Sequence, residues 1–321
     1  MNLFETEKET RLIKDTFSRL LNKQLSLETI SAPIILPANS GLNDDLSGSE
    51  RQIVFDVKSG EKCTIVQSLA KWKRYKLMVC GLEPGTGICT DMRALRRDED
   101  LSHIHSYYVD QWDWETVIRK EQRTDEVLED FVRRIYVALK ETETVFCQQK
   151  GMEQLLPPEI HFVTTQELED EYPRMSPKQR EFAICKKHGA VFIKKIGMKL
   201  RSGKRHDNRG PDSDDWSLNG DILVYHPATK TAMELSSMGI RVDAGKLEEQ
   251  LRESNQMEKK ELFYHKLLLS GKLPCTIGGG IGQSRLCMFM MRKKHIGEVQ
   301  VSLWDDKNRE YAVNENVHLL A

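Results

Sequence analysis

Among 321 residues there is no Cys-x-x-Cys pair, no excess of either charge and no run approaching twenty apolar side chains. Each absence excludes something. Without a long apolar run there is no candidate membrane span, and no membrane partner is expected. The seven cysteines (Cys63, Cys80, Cys89, Cys147, Cys185, Cys275 and Cys287) are scattered and odd in number. That pattern fits reduced thiols used as small apolar groups, not a disulfide framework or a zinc site. The nine histidines also lack metal-ligand spacing, and the closest pair, His103 and His105, reads as strand alternation. Lys and Arg number 48 against 49 Asp and Glu, a formal charge of -1, so no nucleic-acid partner is expected. The opening MNLFETEKETRL has no apolar centre, so a secretory leader is not expected and a cytoplasmic location is.

What is present reads as helices and strands in alternation. Residues 4–25 carry Leu12, Ile13, Phe17, Leu20 and Leu21 at helical spacing. TISAPIILP follows, a strand marked by Pro33 as an edge or interface element. A turn-rich loop, GLNDDLSG, covers 41–48, and RQIVFDVK and KCTIVQSL pair as strands. Residues 70–78 read as a helix, then GICTDMRALRRDED and HSYYVDQWDWE as two strands joined by a charged loop over 97–102. Helices are predicted over 125–149 and 178–188, the second ended by Gly189, with a strand at AVFIKKIG. Residues 201–217 are almost free of apolar side chains and read as a long polar loop, the kind that forms lids. DILVYHP and KTAMELSSMGIRVD form a hairpin around 226–230. Strands in antiparallel succession with helices between them predict an α+β fold, as one domain over 1–321.

Three features carry chemistry. If the hairpin turn centres on Pro227 and Ala228, Asp221 lies opposite Glu234, with Cβ atoms about 5 Å apart. Two carboxylates that close need a proton or a cation between them, and Mg²⁺ with a nucleotide suits the pair. A one-residue slip would turn them to opposite faces. The string GGGIGQSR, 278–285, lets backbone approach a flat ligand and places Arg285 in the first turn of a helix, where it can stack on a base or fork onto phosphate. The same string also fits a glycine-rich turn feeding a buried helix. In QWDW, Trp112 and Trp114 share one strand face and suit a core, which leaves Gln111 and Asp113 for a pocket lining.

Five segments, in order, resemble the catalytic core of class II aminoacyl-tRNA synthetases of the aspartate and asparagine branch. Residues 25–33 resemble the first motif, a dimer interface. QSLAKWK resembles the loop whose lysine, here Lys73, meets the amino-acid substrate. RRDEDLSHIHSYYVDQWDWE resembles the second motif, whose arginine, here Arg96, clamps the α-phosphate. ELSSMGIRVD resembles the segment with a magnesium-binding glutamate, Glu234, and a substrate-binding arginine, Arg241. GGGIGQSR resembles the third motif, with Arg285 against adenine and phosphates. The chain is similar over nearly its whole length to the ammonia-dependent asparagine synthetase (aspartate–ammonia ligase) family, in DDLSG, SLAKWKR, DDWSLNGDILV, ELSSMGIRVDA and TIGGGIGQSRL. It departs from that pattern at Gln67, where relatives carry histidine, and in a shorter segment over 216–219. Only one helix precedes the first motif, so no anticodon-binding domain is expected. Glutamine-using asparagine synthetases need a cysteine after the initiator methionine, and residue 2 is Asn2.

The resemblance implies an α+β fold with an antiparallel sheet flanked by helices, a homodimer, and synthesis of asparagine from aspartate, ammonia and ATP through β-aspartyl-AMP. It implies Mg²⁺ on Asp221 and Glu234, with Arg96 and Arg285 on the phosphates. Leu235, Gly280 and Ile281 would be further nucleotide contacts. Lys73 and Arg241 would take the α-carboxylate, and Gln111, Asp113 and Ser237 the α-ammonium, with Ser68 also at the aspartate. Asp44, or Asp214 on the polar loop, would bind ammonium and accept its proton, and Arg209 would close on phosphate. A tRNA-handling enzyme would need an RNA-binding appendage or a basic excess. A non-catalytic relative would have lost Arg96, Asp221, Glu234 or Arg285, and all four are present.

Overall fold

The N-terminal periodicity becomes α1 (Leu3–Leu25), which buries Ile13, Phe17, Leu20, Leu21 and Leu25 along one side. A computed structural model describes residues 3–47 and 50–320, so Asn2 and the Gly48 end of the 41–48 loop lie outside the described residues. The chain continues through β1 (Leu27–Ile30), β2 (Ile35–Pro37), β3 (Val54–Asp56), β4 (Lys62–Ile65), α2 (Ala70–Cys80), β5 (Gly87–Leu95) and β6 (Tyr108–Val117). Next come α3 (Asp125–Lys150), β7 (His161–Thr164), α4 (Thr165–Glu171), α5 (Pro177–His188), β8 (Ala190–Lys194), β9 (Asp214–His226) and β10 (Thr231–Arg241). The last elements are α6 (Ala244–Glu253), α7 (Phe263–Leu269), β11 (Thr276–Gly282), α8 (Gln283–Met290) and α9 (Asp306–Asn314). Helix ends follow local chemistry. The Thr124 hydroxyl accepts from the Val127 N–H at 3.3 Å to start α3, and Gly151, at φ 64°, ends it.

Eight strands make one sheet in the order β1-β5-β6-β11-β10-β9-β8-β7, and β2-β4-β3 form a small second sheet. The central pairings are antiparallel, as expected, whereas β1 with β5 and β7 with β8 run parallel. Period-two alternation in β6 sorts the two faces. Trp112 and Trp114 turn to the core, Trp112 against Phe17 at 4.6 Å between ring centroids and Trp114 stacked on Phe131 at 5.6 Å. Their cross-strand neighbours Ile281 and Gly279, and Met238 beyond, lie on the same face. Apolar side chains of α1, α3 and α8 cover it in one continuous cluster.

Apolar clusters cover the other face at its two ends. Near β5, Met92 and Ala94 pack with Leu247 and Leu251 of α6 and Tyr264 and Leu268 of α7. Near β8, Val191, Ile193 and Leu223 pack with Leu168 of α4 and Ile184 of α5. The middle of that face stays open, and the polar alternation of β6, β10 and β11 lines it.

Three local expectations change. Residues 29–37 are not one strand: β1 ends at Ile30 and β2 starts at Ile35, with Pro33 between them outside any strand. The polar loop ends at Ser213, because Asp214 already pairs in register with Arg241 and Trp216 is buried. Its four terminal residues are therefore strand, a polar strand whose alternation is hidden because Trp216 is the one large apolar group in it. His103 and His105 are not strand residues. The Ser102 backbone bridges to His105, the Ser102 hydroxyl meets His105 Nδ1 at 2.8 Å, and β6 starts only at Tyr108.

Phe17→Ala is expected to destabilise the fold by about 3–5 kcal/mol, since the ring is wholly buried and holds α1 on Trp112. Urea unfolding followed by tryptophan fluorescence measures it, with an unchanged m-value expected.

Candidate active site

The open middle of the sheet is a cleft of about 340 Å³. Its floor follows from the register. Thr90, Asp113, Gly280, Ser237 and Asp221 are successive cross-strand neighbours on β5, β6, β11, β10 and β9. Glu115, Gly278 and Gly239 form the next row.

The hairpin register differs from the sequence expectation. Its turn takes four residues, 227–230, with Lys230 at φ 54°, so Glu234 faces Leu223 and Asp221 faces Ser237. A bulge between Glu234 and Ser236 makes both pairings possible. Three residues apart on a regular strand, Glu234 and Ser237 would point to opposite faces; the extra residue, Leu235, returns Glu234 to the face of Asp221. The two carboxylates are therefore diagonal neighbours, not opposed ones. Burial pushes the Asp221 carboxyl up to about 7, with Arg209 pulling against it and Glu234 adding to it. Arg209 forms an ion pair with Asp221 and covers it from the cleft. Burial also works against Glu234, but Arg285, Arg209 and Lys178 outweigh it and hold that carboxyl low. Two hard-oxygen donors on one face, with a cation already drawn to them, fit Mg²⁺. Arg209 is thus placed at the carboxylates, not at an open phosphate position.

Arg96 and Arg285 come together above this floor. Arg285, in the first turn of α8, donates to the Glu234 carbonyl at 3.1 Å and lies 3.6 Å from the Glu234 carboxylate. Arg96 follows β5, its nearest carboxylate Glu99 at 3.9 Å and its Nε without a partner. Burial lowers the Arg96 guanidinium from its ordinary value; Glu99 pulls it back up and the Arg285 charge pushes it down again. Two guanidiniums side by side in a cleft could hold an anion.

On the other side Lys73, in the first turn of α2, pairs with Asp113 and donates to the Gly279 carbonyl at 2.9 Å. Arg241 is 3% exposed and shared between two acids, Asp214 and Glu115, the latter at 2.7 Å. Glu115 was not anticipated, although it continues the period of Gln111 and Asp113 by one more step. The glycines explain themselves here. A Cβ on Gly278 would strike the Glu115 carboxylate and the Arg241 guanidinium, and one on Gly280 would sit 2.6 Å from Gln111 Oε1. The run is a strand, not a turn, and side chains of its neighbours fill the missing Cβ positions. Ser68, Gln111, Ser237 and Leu235 line the cleft, whereas the Ile281 side chain turns into the core and leaves only backbone for a ligand. Asp214 lies on β9, committed to Arg241, not on a mobile loop.

Asp44 lines the cleft and is 5% exposed. Burial pushes its carboxyl up to about 6, Lys71 pulling against this and Asp212 and Asp45 adding to it. Carboxylate oxygens of Asp44, Asp45 and Asp212 lie within 4.8 Å of one another, a spacing that could hold a metal ion. Lys71 and Lys259 already send ammonium groups into that cluster. Sequence offered no signal for it, because Lys71 and Asp212 are 141 positions apart.

The family model described as Aspartate-ammonia ligase matches residues 4–316. A relative of that name from Fusobacterium nucleatum is 51% identical over 321 residues, covering 100% of this chain and 98% of its own. One from Clostridium perfringens is 54% identical over 323 residues, covering 100% and 96%. Among solved structures, asparaginyl-tRNA synthetase from Pyrococcus horikoshii, complexed with asparaginyl-adenylate, superposes with a TM-score of 0.69 at 13% identity, over 94% of this chain and 70% of that one. Aspartyl-tRNA synthetase from Entamoeba histolytica gives 0.62 at 15% identity, over 94% and 58%. At these identities the likeness is one of fold, that of the class II synthetases. Among the described residues no helix is long and apolar enough to cross a membrane.

Gly278→Ala is expected to cost about 3 kcal/mol or more, because the added methyl must break a buried ion pair. Thermal unfolding would show it, with substrate-dependent activity lost even below the transition.

Proposed function

The chain belongs to the aspartate–ammonia ligase family, and we propose that the cleft described above is where it joins ammonia to aspartate through an aspartyl adenylate. The enzyme makes L-asparagine from L-aspartate and ammonia with consumption of ATP. The observation that carries the site assignment is that one cleft holds both a guanidinium with an unpartnered Nε, at Arg96 beside Arg285, and a buried carboxylate that no lysine approaches closer than 4.0 Å, at Asp44. The adenylate bound to the archaeal asparaginyl-tRNA synthetase of the same fold supports the nucleotide side of this reading.

In the first step an oxygen of the aspartate β-carboxylate attacks the α-phosphorus of ATP, and the bond to the bridging oxygen breaks with its electrons leaving on pyrophosphate. Arg96 and Arg285 hold the phosphates in line and take up the charge that moves outward. Asp221 and Glu234 would hold Mg²⁺, which when bound neutralises phosphate charge. Arg209, paired with Asp221 in this structure, would be free to turn to the phosphates once a cation took its place. Leu235, Gly280 and the Ile281 backbone flank the adenine. Lys73 and Arg241 orient the α-carboxylate, while Gln111, Asp113 and Ser237 face the α-ammonium and Ser68 completes that side. In the second step ammonium reaches Asp44, which takes a proton, and the ammonia lone pair attacks the acyl carbon as AMP leaves. Asp214 is bound to Arg241, so Asp44 is the acceptor of the two.

The enzyme works as one catalytic domain, in the cytoplasm, without a nucleic-acid partner. It pairs as a homodimer through the 25–33 segment, beside which Ile34 and Ile35 stand exposed.

A product assay tests the route. Asparagine with equal AMP and pyrophosphate, dependent on ammonium, is expected; ADP and phosphate would mean an acyl phosphate and overturn the adenylate. Asp44→Asn is expected to lower ammonia-dependent turnover by about 10²–10⁴ while pyrophosphate formation persists. In the parent enzyme, kcat/KM for ammonium should fall as pH drops through about 6, as Asp44 takes a proton and loses its hold on a cation. That acid limb should vanish in the variant, and its survival would remove Asp44 from the role.

A further inference from the structure

No step above uses Lys71, Asp212 or His265, yet all three are almost wholly buried around Asp44. Lys71 Nζ bonds Asp212 Oδ2 at 2.8 Å and stands 4.0 Å from Asp44 Oδ1. His265 Nε2 meets the same Asp212 oxygen at 2.8 Å, and its Nδ1 has no partner. Lys259 Nζ bonds Asp45 Oδ2 at 2.6 Å and reaches Asp212 at 3.8 Å. Three carboxylates therefore share two lysine ammonium groups. The distances say which acid is served least. Each lysine is bonded to another acid, and Asp44, which lines the cleft, is approached by Lys71 only at 4.0 Å.

A lysine is a point charge on a flexible stem, and a buried one must have a partner. A movement of about 1 Å would bring Lys71 into hydrogen-bond distance of Asp44. We infer that Asp212 is a positioning residue for ammonia: by holding Lys71, it keeps that internal ammonium off Asp44 and leaves the carboxylate for the ammonium substrate. The selectivity is one of competition, in which the chain's own alkylammonium is tied down so that the small external one can bind. His265 steadies the Asp212 oxygen that does the holding. The inference rests on the reading of Asp44 as the ammonium acceptor.

Asp212→Asn keeps shape and removes the charge that holds Lys71. Its KM for ammonium is expected to rise about tenfold or more, as Lys71 moves to Asp44. Aspartate-dependent exchange of pyrophosphate into ATP, which reports adenylation alone, should stay within about twofold. Adding Lys71→Met should return the ammonium KM toward that of the parent, because the intruding cation is gone. A purely structural role for Asp212 would lower the pyrophosphate exchange together with the ammonium-dependent step, which separates it from positioning. An unchanged ammonium KM in Asp212→Asn, or a double variant no better than the single, overturns the inference. Should Asp212→Asn fail to fold, His265→Gln decides, with a rise of about threefold expected and no change overturning it. If Asp44→Asn leaves ammonium KM unaltered, the acceptor assignment itself fails. If Asp44→Asn responds and Asp212→Asn does not, only the positioning role falls.

Discussion

Arg241 is buried, and its charge is divided between Glu115 on β6 and Asp214 on β9. Four strands meet at that guanidinium, since the space it occupies with Glu115 exists only because β11 has a glycine there. A buried ion pair contributes little net stability against an apolar alternative, so its presence is better explained by what it positions. It fixes the relative register of β6, β9, β10 and β11, the strands that carry Gln111, Asp113, Ser237, Asp221 and Glu234. The floor of the cleft is thus ordered by an electrostatic contact while its underside is ordered by Trp112, Trp114, Phe17 and Phe131.

The glycines of β11 serve both faces differently. Gly279 faces the core, where a Cβ would come 2.5 Å from the Met238 Cβ, so it lets the two strands pack under the helices. Gly278 and Gly280 face the cleft, where Glu115, Arg241 and Gln111 fill the missing positions. One string meets a packing demand and a binding demand because a strand alternates, which a turn does not.

Much of this was legible along the chain. The tryptophans of β6 signal its apolar side, and Gln111 and Asp113 therefore belong to the cleft; the same period extends to Glu115 and could have identified it. Arg96, Glu234, Arg241 and Arg285 lie within strings similar to known motifs, and the structure brings them to one cavity. The hairpin register was not legible, because a four-residue turn and a bulge each shift the pairing and neither has a distinctive residue. Asp214 looked like loop because polar strand residues over a binding cleft carry no alternating signal. The Lys71, Asp212 and His265 cluster is assembled from three distant segments, and only folding brings their charges together.

The floor residues of the cleft sit on paired strands, whereas Asp44 and Arg209 sit on segments outside them. On the reading proposed above, the sheet supplies the bed under the ligands, while Asp44 and Arg209 approach it from peripheral chain that can vary without disturbing the strand pairing. Substitution in that rim can change the size and charge of what the cleft admits while the bed of paired strands stays as it is.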